Sequence, residues 1–246
     1  MYPAINIGPL VFPTAGLIYI IGAWLGLSVV ERAATRLGQD PDPVYGISVT
    51  TLIAALLGAR LTFVALYWPA FRESLLSIIW PLNSGYNLWG GLILGLLAAV
   101  YYGRVRRLSA AATLDALVPG LVVGLLVVSL ADFLAGPGFG TLTRAPWGIT
   151  QFSVKRHPVQ IYEIAIAALS LIVWWRTHKL RQFDGQLFLL VVSIYSGGRL
   201  FVDAYRQNAW LSESGFHILQ IISLAVMLLS LYLLGIRSKG SATARE

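Results

Sequence analysis

Arg199, Asp203 and Arg206 lie in one stretch, Ser196 to Gln207 (SGGRLFVDAYRQ), that continues an apolar run. A guanidinium grips a phosphate or a carboxylate through two parallel hydrogen bonds. At i and i+4 on a helix, Arg199 and Asp203 are expected to form an ion pair on one face, with Arg206 about a turn further on. The stretch reads either as a cationic ladder for an anionic headgroup or as a self-neutralised pair that pins its helix to a neighbour. A second stretch, Arg156 to Glu163 (RHPVQIYE), carries acid–base groups. Pro158 suits the first turn of a helix, where its missing N–H costs nothing. Arg156 and His157 then sit just outside that helix. Tyr162 and Glu163 share one side of it, and Gln160 comes within reach of Glu163 at i+3. A capped helix start with one paired Glu fits the same spacing equally well. Arg60, in LGARLTFV, needs a partner such as Glu163, Asp132 or a lipid phosphate. Asp132, in SLADFLAGPGFG, stands just before Gly136-Pro137-Gly138, which should break a helix and leave backbone that must be buried or line a wet cavity.

The elements that must position these groups are apolar helices. The 246 residues are 57% hydrophobic and 12% charged, with mean hydropathy +0.72, far more apolar than a soluble domain. An all-α integral membrane protein of one domain, residues 1–246, is expected. Seven spans of about 20 apolar residues are predicted near 13–31, 44–67, 88–103, 113–134, 158–176, 186–204 and 215–236. The first is read as a span rather than a signal peptide, because no Lys or Arg precedes it and no small-residue cleavage site follows it. Six ionisable residues fall inside the spans: Arg60, Asp115, Asp132, Glu163, Arg199 and Asp203. Each costs roughly 2.5–3.5 kcal/mol even on the mild insertion scale, so a polar site within the bilayer is expected. Asp115 reads as structural, in the first turn of its helix, where a carboxylate favours the helix dipole. Gly58 with Ala59, and Gly91 with Gly95, predict close helix packing.

Composition also excludes some chemistry. With no Cys there is no disulfide, thiolate zinc site or thiol nucleophile in this chain. His157, His178 and His217 are too few and too scattered for a metal site. The net charge of +7 fits basic loops, not nucleic-acid binding. Eleven Lys and Arg (Arg32, Arg36, Arg104, Arg106, Arg107, Arg176, Lys179, Arg181, Arg237, Lys239, Arg245) fall on one side of the seven spans and five (Arg72, Arg144, Lys155, Arg156, Arg206) on the other. The richer side should be cytoplasmic, which puts the N-terminus outside and the C-terminus inside. The outside loops are then 69–87, amphipathic with interfacial aromatics, and 135–157, long and rich in Gly and Pro.

Several stretches together resemble one family. INIGPLVF and GLIYIIG, LGARLTFV, LWGGLILG, RHPVQIYE and GQLFLLVVSIYSGGRLFVDAYRQ occur, in this order, in the prolipoprotein diacylglyceryl transferases. RHPxQxYE is the most specific of them. The resemblance runs along nearly the whole chain. It implies seven helices and transfer of a diacylglyceryl group from phosphatidylglycerol, or a related anionic phospholipid, to the cysteine thiol of a prolipoprotein lipobox. It places the protein in the bacterial cytoplasmic membrane, with the site facing the outer leaflet, and implies no cofactor and no nucleic acid. Arg60, Arg156, His157, Pro158, Gln160, Tyr162, Glu163, Tyr195, Arg199 and Arg206 match the family, and Asp203 stands for a Glu. The family signature G-R-x-G-N-F-x-N-x-E-x-x-G aligns with Val128 to Gly140. There the Arg becomes Ser129, the two Asn become Asp132 and Ala135, and the Glu becomes Pro137, while Phe133 and Gly140 remain. A family His is Trp89 and an N-terminal Tyr is Ala15.

The resemblance implies that Arg199, Arg206 and Arg60 hold the lipid phosphate, with Arg156 and His157 at the entrance. Gln160, Tyr162, Tyr195 and Asp203 would support binding. The base that takes the thiol proton is expected among Glu163, Asp132 and His157. A rival reading is a relative that binds phospholipid or lipoprotein without transfer. A transporter is a third; it predicts paired broken helices, and the sequence offers one broken segment.

Overall fold

A computed structural model describes residues 4–7, 10–79 and 85–243. Seven of its helices are long and apolar enough to cross a membrane. They are α1 (Thr14–Arg36), α2 (Pro41–Leu66), α5 (Leu88–Val105), α6 (Ala110–Ala135), α7 (Val159–Thr177), α8 (Gln186–Val202) and α9 (Ile218–Thr243), with two four-residue helices, α3 (Trp68–Phe71) and α4 (Leu76–Ile79), between α2 and α5. The protein is an all-α membrane protein, as the hydropathy pattern predicts. Parts of the INIGPLVF motif and of the 69–87 loop, and Arg245, lie outside the described residues.

Local chemistry starts and stops the helices. Asp40 accepts the N–H of Asp42 (3.1 Å) with Pro41 at the first position of α2, and Asn87 accepts the N–H of Gly90 (2.9 Å) to begin α5. Gly136, at φ +107°, ends α6, a conformation that favours glycine. α7 starts at Val159 with Pro158 as its cap, one residue later than the sequence suggests.

The helices pack in the order α5–α2–α1–α6–α7–α8–α9. α2 and α5 meet through small residues. A Cβ on Gly58 would fall 2.5 Å from the carbonyl oxygen of Gly90, so the two backbones touch. A core of Ala33, Val118, Val122, Ala167, Trp174, Leu187 and Val191 joins α1, α6, α7 and α8. Outward faces carry Leu92, Ile93 and Leu96 on α5 and Leu228 and Tyr232 on α9, as expected where the solvent is lipid.

Asp115 departs from its expected role. It lies in the second turn of α6 and is fully buried, and it accepts the N–H groups of Gly185 and Phe188 (2.8 Å each) with Arg181 at 3.4 Å. It therefore caps the start of α8 from another helix, because α8 begins at a glycine with no side chain to do so.

Candidate active site

In the break at Gly136-Pro137-Gly138 the two glycines are buried and Pro137 is exposed, and the chain beyond it is rebonded. Thr141 N–H donates to Tyr205 O (2.8 Å) and Gln207 N–H to Phe139 O (3.1 Å). On the other side, Thr143 N–H donates to Lys155 O and His157 N–H to Thr141 O (3.0 Å each). Residues 139–143 thus run as a central strand between the start of α7 and the end of α8. Two strands, β1 (Ile149–Gln151) and β2 (Val154–Arg156), complete this cover as a hairpin. Its two turn residues, Phe152 (φ +52°) and Ser153 (φ +66°), both take the left-handed conformation of a type I′ turn. A Cβ on Gly140 would sit 2.2 Å from the carbonyl oxygen of His157, so this surviving signature glycine is what lets the strand reach α7.

Under this cover lies an ionic cluster. Glu163, 3% exposed, accepts hydrogen bonds from both Arg199 and Arg206 on Oε1 and from Ser129 Oγ (3.1 Å) on Oε2. Asp132 stands beside it, close enough to feel the charges of Arg206 and Glu163. Its Oδ2 lies 3.1 Å from where a Cβ on Gly138 would be, and so does an N–H nitrogen of Arg206. Among the described residues Asp132 forms no side-chain hydrogen bond or ion pair, and its carboxylate is not sealed off. Tyr195, one turn before Arg199, lies within electrostatic range of Glu163 and both arginines; Tyr19 of α1 lies within range of Asp132.

Several expected contacts are replaced by others. Arg199 does not pair with Asp203. The α-helix ends at Val202, and a tight turn over Asp203–Tyr205 swings Asp203 round to His217 Nδ1 (3.1 Å), while Arg199 reaches across to α7. Gln160, fully buried, donates to Pro137 O (3.1 Å) rather than to Glu163. Arg60 donates to three backbone carbonyls, of Ile78 (2.8 Å), Ser77 and Gly85 (3.2 Å), and stacks near Phe71 and Tyr86 (5.2 and 5.8 Å). It ties the segment beyond α2 into the α2–α5 pair, neutralising carbonyls that the end of α4 leaves open.

The remaining candidates gather above the cluster. Arg156 donates to Gly140 O (3.1 Å) and lies over the Phe139 ring (4.7 Å). Trp147 Nε1 donates to Tyr162 Oη (2.8 Å), which lies 3.2 Å from His157 Nδ1. An indole N–H only donates, so the phenol proton of Tyr162 is free to point at Nδ1. The His157 ring also packs on Tyr205 (4.6 Å between centroids). Ser129, Trp147, Tyr205 and His217 were not singled out as site residues by sequence. Tyr205 and Ser129 were at least visible inside the two motifs; nothing local marks Trp147 or His217.

The site is therefore a buried carboxylate bonded to two guanidiniums, beside a second carboxylate that accepts no hydrogen bond among the described residues. Two guanidiniums and two carboxylates leave no net charge. An anionic headgroup would find two cations here, and a proton donor would find an unoccupied acceptor in Asp132.

Comparison with known proteins identifies the family. The family model described as prolipoprotein diacylglyceryl transferase matches residues 3–236. The chain is 27% identical over 209 residues to the phosphatidylglycerol–prolipoprotein diacylglyceryl transferase of Clostridioides difficile (strain 630), covering 85% of this chain and 84% of that one. It is 27% identical over 246 residues to the protein of that name in Staphylococcus aureus (strain Newman), covering 94% and 87%. A match over nearly the whole length, with the RHPVQIYE and SGGRLFVDAYRQ stretches meeting at one carboxylate, makes this chain a member of the prolipoprotein diacylglyceryl transferase family.

Proposed function

We propose that this protein transfers the diacylglyceryl group of phosphatidylglycerol to the cysteine thiol of a prolipoprotein lipobox, with Asp132 as the base. The reaction forms a C–S bond and breaks the C–O bond on the diacylglyceryl side of the phosphodiester. The electron pair leaves on the phosphate oxygen, and glycerol phosphate departs. Arg199 and Arg206 bind that phosphate and stabilise its growing charge; Glu163 holds the two guanidiniums in place. The thiol proton goes to Asp132.

The observation that carries this assignment is the unequal state of the two carboxylates. Glu163 already accepts three hydrogen bonds, whereas Asp132 accepts none among the described residues. Charge is conserved through the step: the phosphodiester enters with one negative charge, glycerol phosphate forms with two, and the thiol proton held on Asp132 offsets the second beside Arg199 and Arg206. The Asp132 carboxylate lies beside Gly138, one residue after the position of the family's Glu, so Asp132 supplies an acid close to where the signature has one.

His157 and Arg156 guard the entrance, with Tyr162 and Tyr195 shaping its walls; Gln160 and Asp203 brace α7 and α8. The protein sits in the bacterial cytoplasmic membrane with this site toward the outer leaflet and the N-terminus outside. The excess of basic residues on the opposite loops supports that orientation. The test is complementation in cells depleted of their own prolipoprotein diacylglyceryl transferase, with a lipobox-cysteine reporter read by mass spectrometry. The reporter should gain one diacylglyceryl group. An unmodified reporter beside folded, inserted protein would overturn the assignment.

A further inference from the structure

The end of the bundle away from Glu163 has its own unassigned cavity. α5 and α6 are joined by residues 106–109 yet diverge, since α5 packs on α2 while α6 packs on α1 and α7. Between them opens a cavity of about 470 Å³, lined by apolar groups including Leu96, Ala99, Val100 and Leu117, with Arg104 and Arg107 among its residues. Ser129, which touches Glu163, is nineteen residues beyond Ala110 on α6, about 28 Å along the helix.

We propose that this cavity binds one anionic phospholipid, with its phosphate at Arg104 and Arg107 and an acyl chain between α5 and α6. Three observations carry the proposal. Arg104 and Arg107 form no side-chain hydrogen bond or ion pair among the described residues, whereas Arg106 between them lies on the Tyr102 ring (5.6 Å). Arg107 adopts φ +54°. It occupies the position after α5 at which Leu108 N–H bonds Gly103 O (2.9 Å) and Arg107 N–H bonds Arg104 O (3.2 Å). Helices that end this way place glycine there, because a Cβ is strained. A strained Arg at the mouth of a cavity points to a use for its charge there. Lastly, Ala110, the first residue of α6, also lines the cavity, and Ser109 gives that helix no side-chain cap. The open N–H groups and helix dipole add to the pull of the two cations on a phosphate. Apolar walls with a cationic mouth match a lipid better than a soluble anion. The proposal is independent of the transferase assignment and needs only that the chain spans a membrane.

The test uses the full chain purified in detergent. Bound phosphatidylglycerol is counted by native mass spectrometry, and thermal unfolding is followed as phosphatidylglycerol or phosphatidylcholine is added. Two variants are compared with wild type: Arg104→Ala/Arg107→Gly removes the cations, and Ala99→Trp fills the apolar wall. Lipid at the Glu163 site is common to all three and cancels. Wild type should hold one more phosphatidylglycerol than either variant, with at least tenfold weaker binding in the variants and little response to phosphatidylcholine. Arg107→Gly alone relieves the turn, so its melting temperature without lipid should equal or exceed that of wild type while its gain from phosphatidylglycerol falls. Equal lipid counts and equal gains in all forms, or equal gains from the neutral lipid, would overturn the proposal.

Discussion

Replacing Asp132 with Asn is the sharpest test of the proposed base. The change is nearly isosteric and restores the residue that the family signature has at this position. It breaks no hydrogen bond, since the Asp132 carboxylate forms none among the described residues. Stability should change modestly, because no hydrogen bond is lost although the cluster is left with one positive charge in excess. Catalysis should change much more. Removing a general base costs about 10²- to 10⁴-fold, or about 2.7–5.4 kcal/mol of barrier at 1.36 kcal/mol per decade. The assay is transfer of labelled diacylglyceryl from phosphatidylglycerol to a lipobox peptide, with kcat and KM separated. Loss should fall on kcat, because Arg199 and Arg206 still bind the headgroup. The double change Asp132→Asn/Pro137→Glu should recover activity, since it puts the acid back at its signature position. Full activity in Asp132→Asn alone would refute the reasoning.

Four further outcomes follow from the contacts. Glu163→Gln leaves two guanidiniums facing each other; breaking a buried pair costs about 3–5 kcal/mol. The 20% and 14% side-chain exposure of Arg199 and Arg206 favours the lower figure, so a clear fall in melting temperature with loss of activity is expected. Gly140→Ala drives a Cβ into the His157 carbonyl and should cost about 1–3 kcal/mol or more, seen as lowered stability and impaired transfer together. Asp115→Ala strips the acceptor from Gly185 and Phe188, at about 1–3 kcal/mol for each orphaned N–H; melting temperature should fall while KM for the lipid stays near wild type. Arg60→Leu frees three carbonyls, and limited proteolysis should then cut faster within residues 72–79 than in wild type.

The sequence is informative where one physical rule dominates. Apolar runs of about 20 residues fixed the seven helices, because lipid leaves the backbone no other bonding partner. Gly136-Pro137-Gly138 marked the end of α6 for the same local reason. Arg199, Arg206 and Glu163 stood out because charge in an apolar run is expensive wherever its partner lies. Which partner each charge takes was beyond local spacing. Arg199 and Asp203 are four apart, yet a single tight turn after Val202 separates them and hands Arg199 to Glu163, 36 positions away in sequence. Arg60 found carbonyls instead of a carboxylate, and Asp115 served another helix's dipole rather than its own.

By itself, then, the sequence determined the class of protein, the number of membrane helices and the family, since these depend on hydropathy and on motifs read along the chain. The tertiary structure alone decided which carboxylate is occupied and which is free. That distinction rests on the approach of α6, α7 and α8 across tens of residues, set by packing and by the strand at 139–143 rather than by any spacing within one helix.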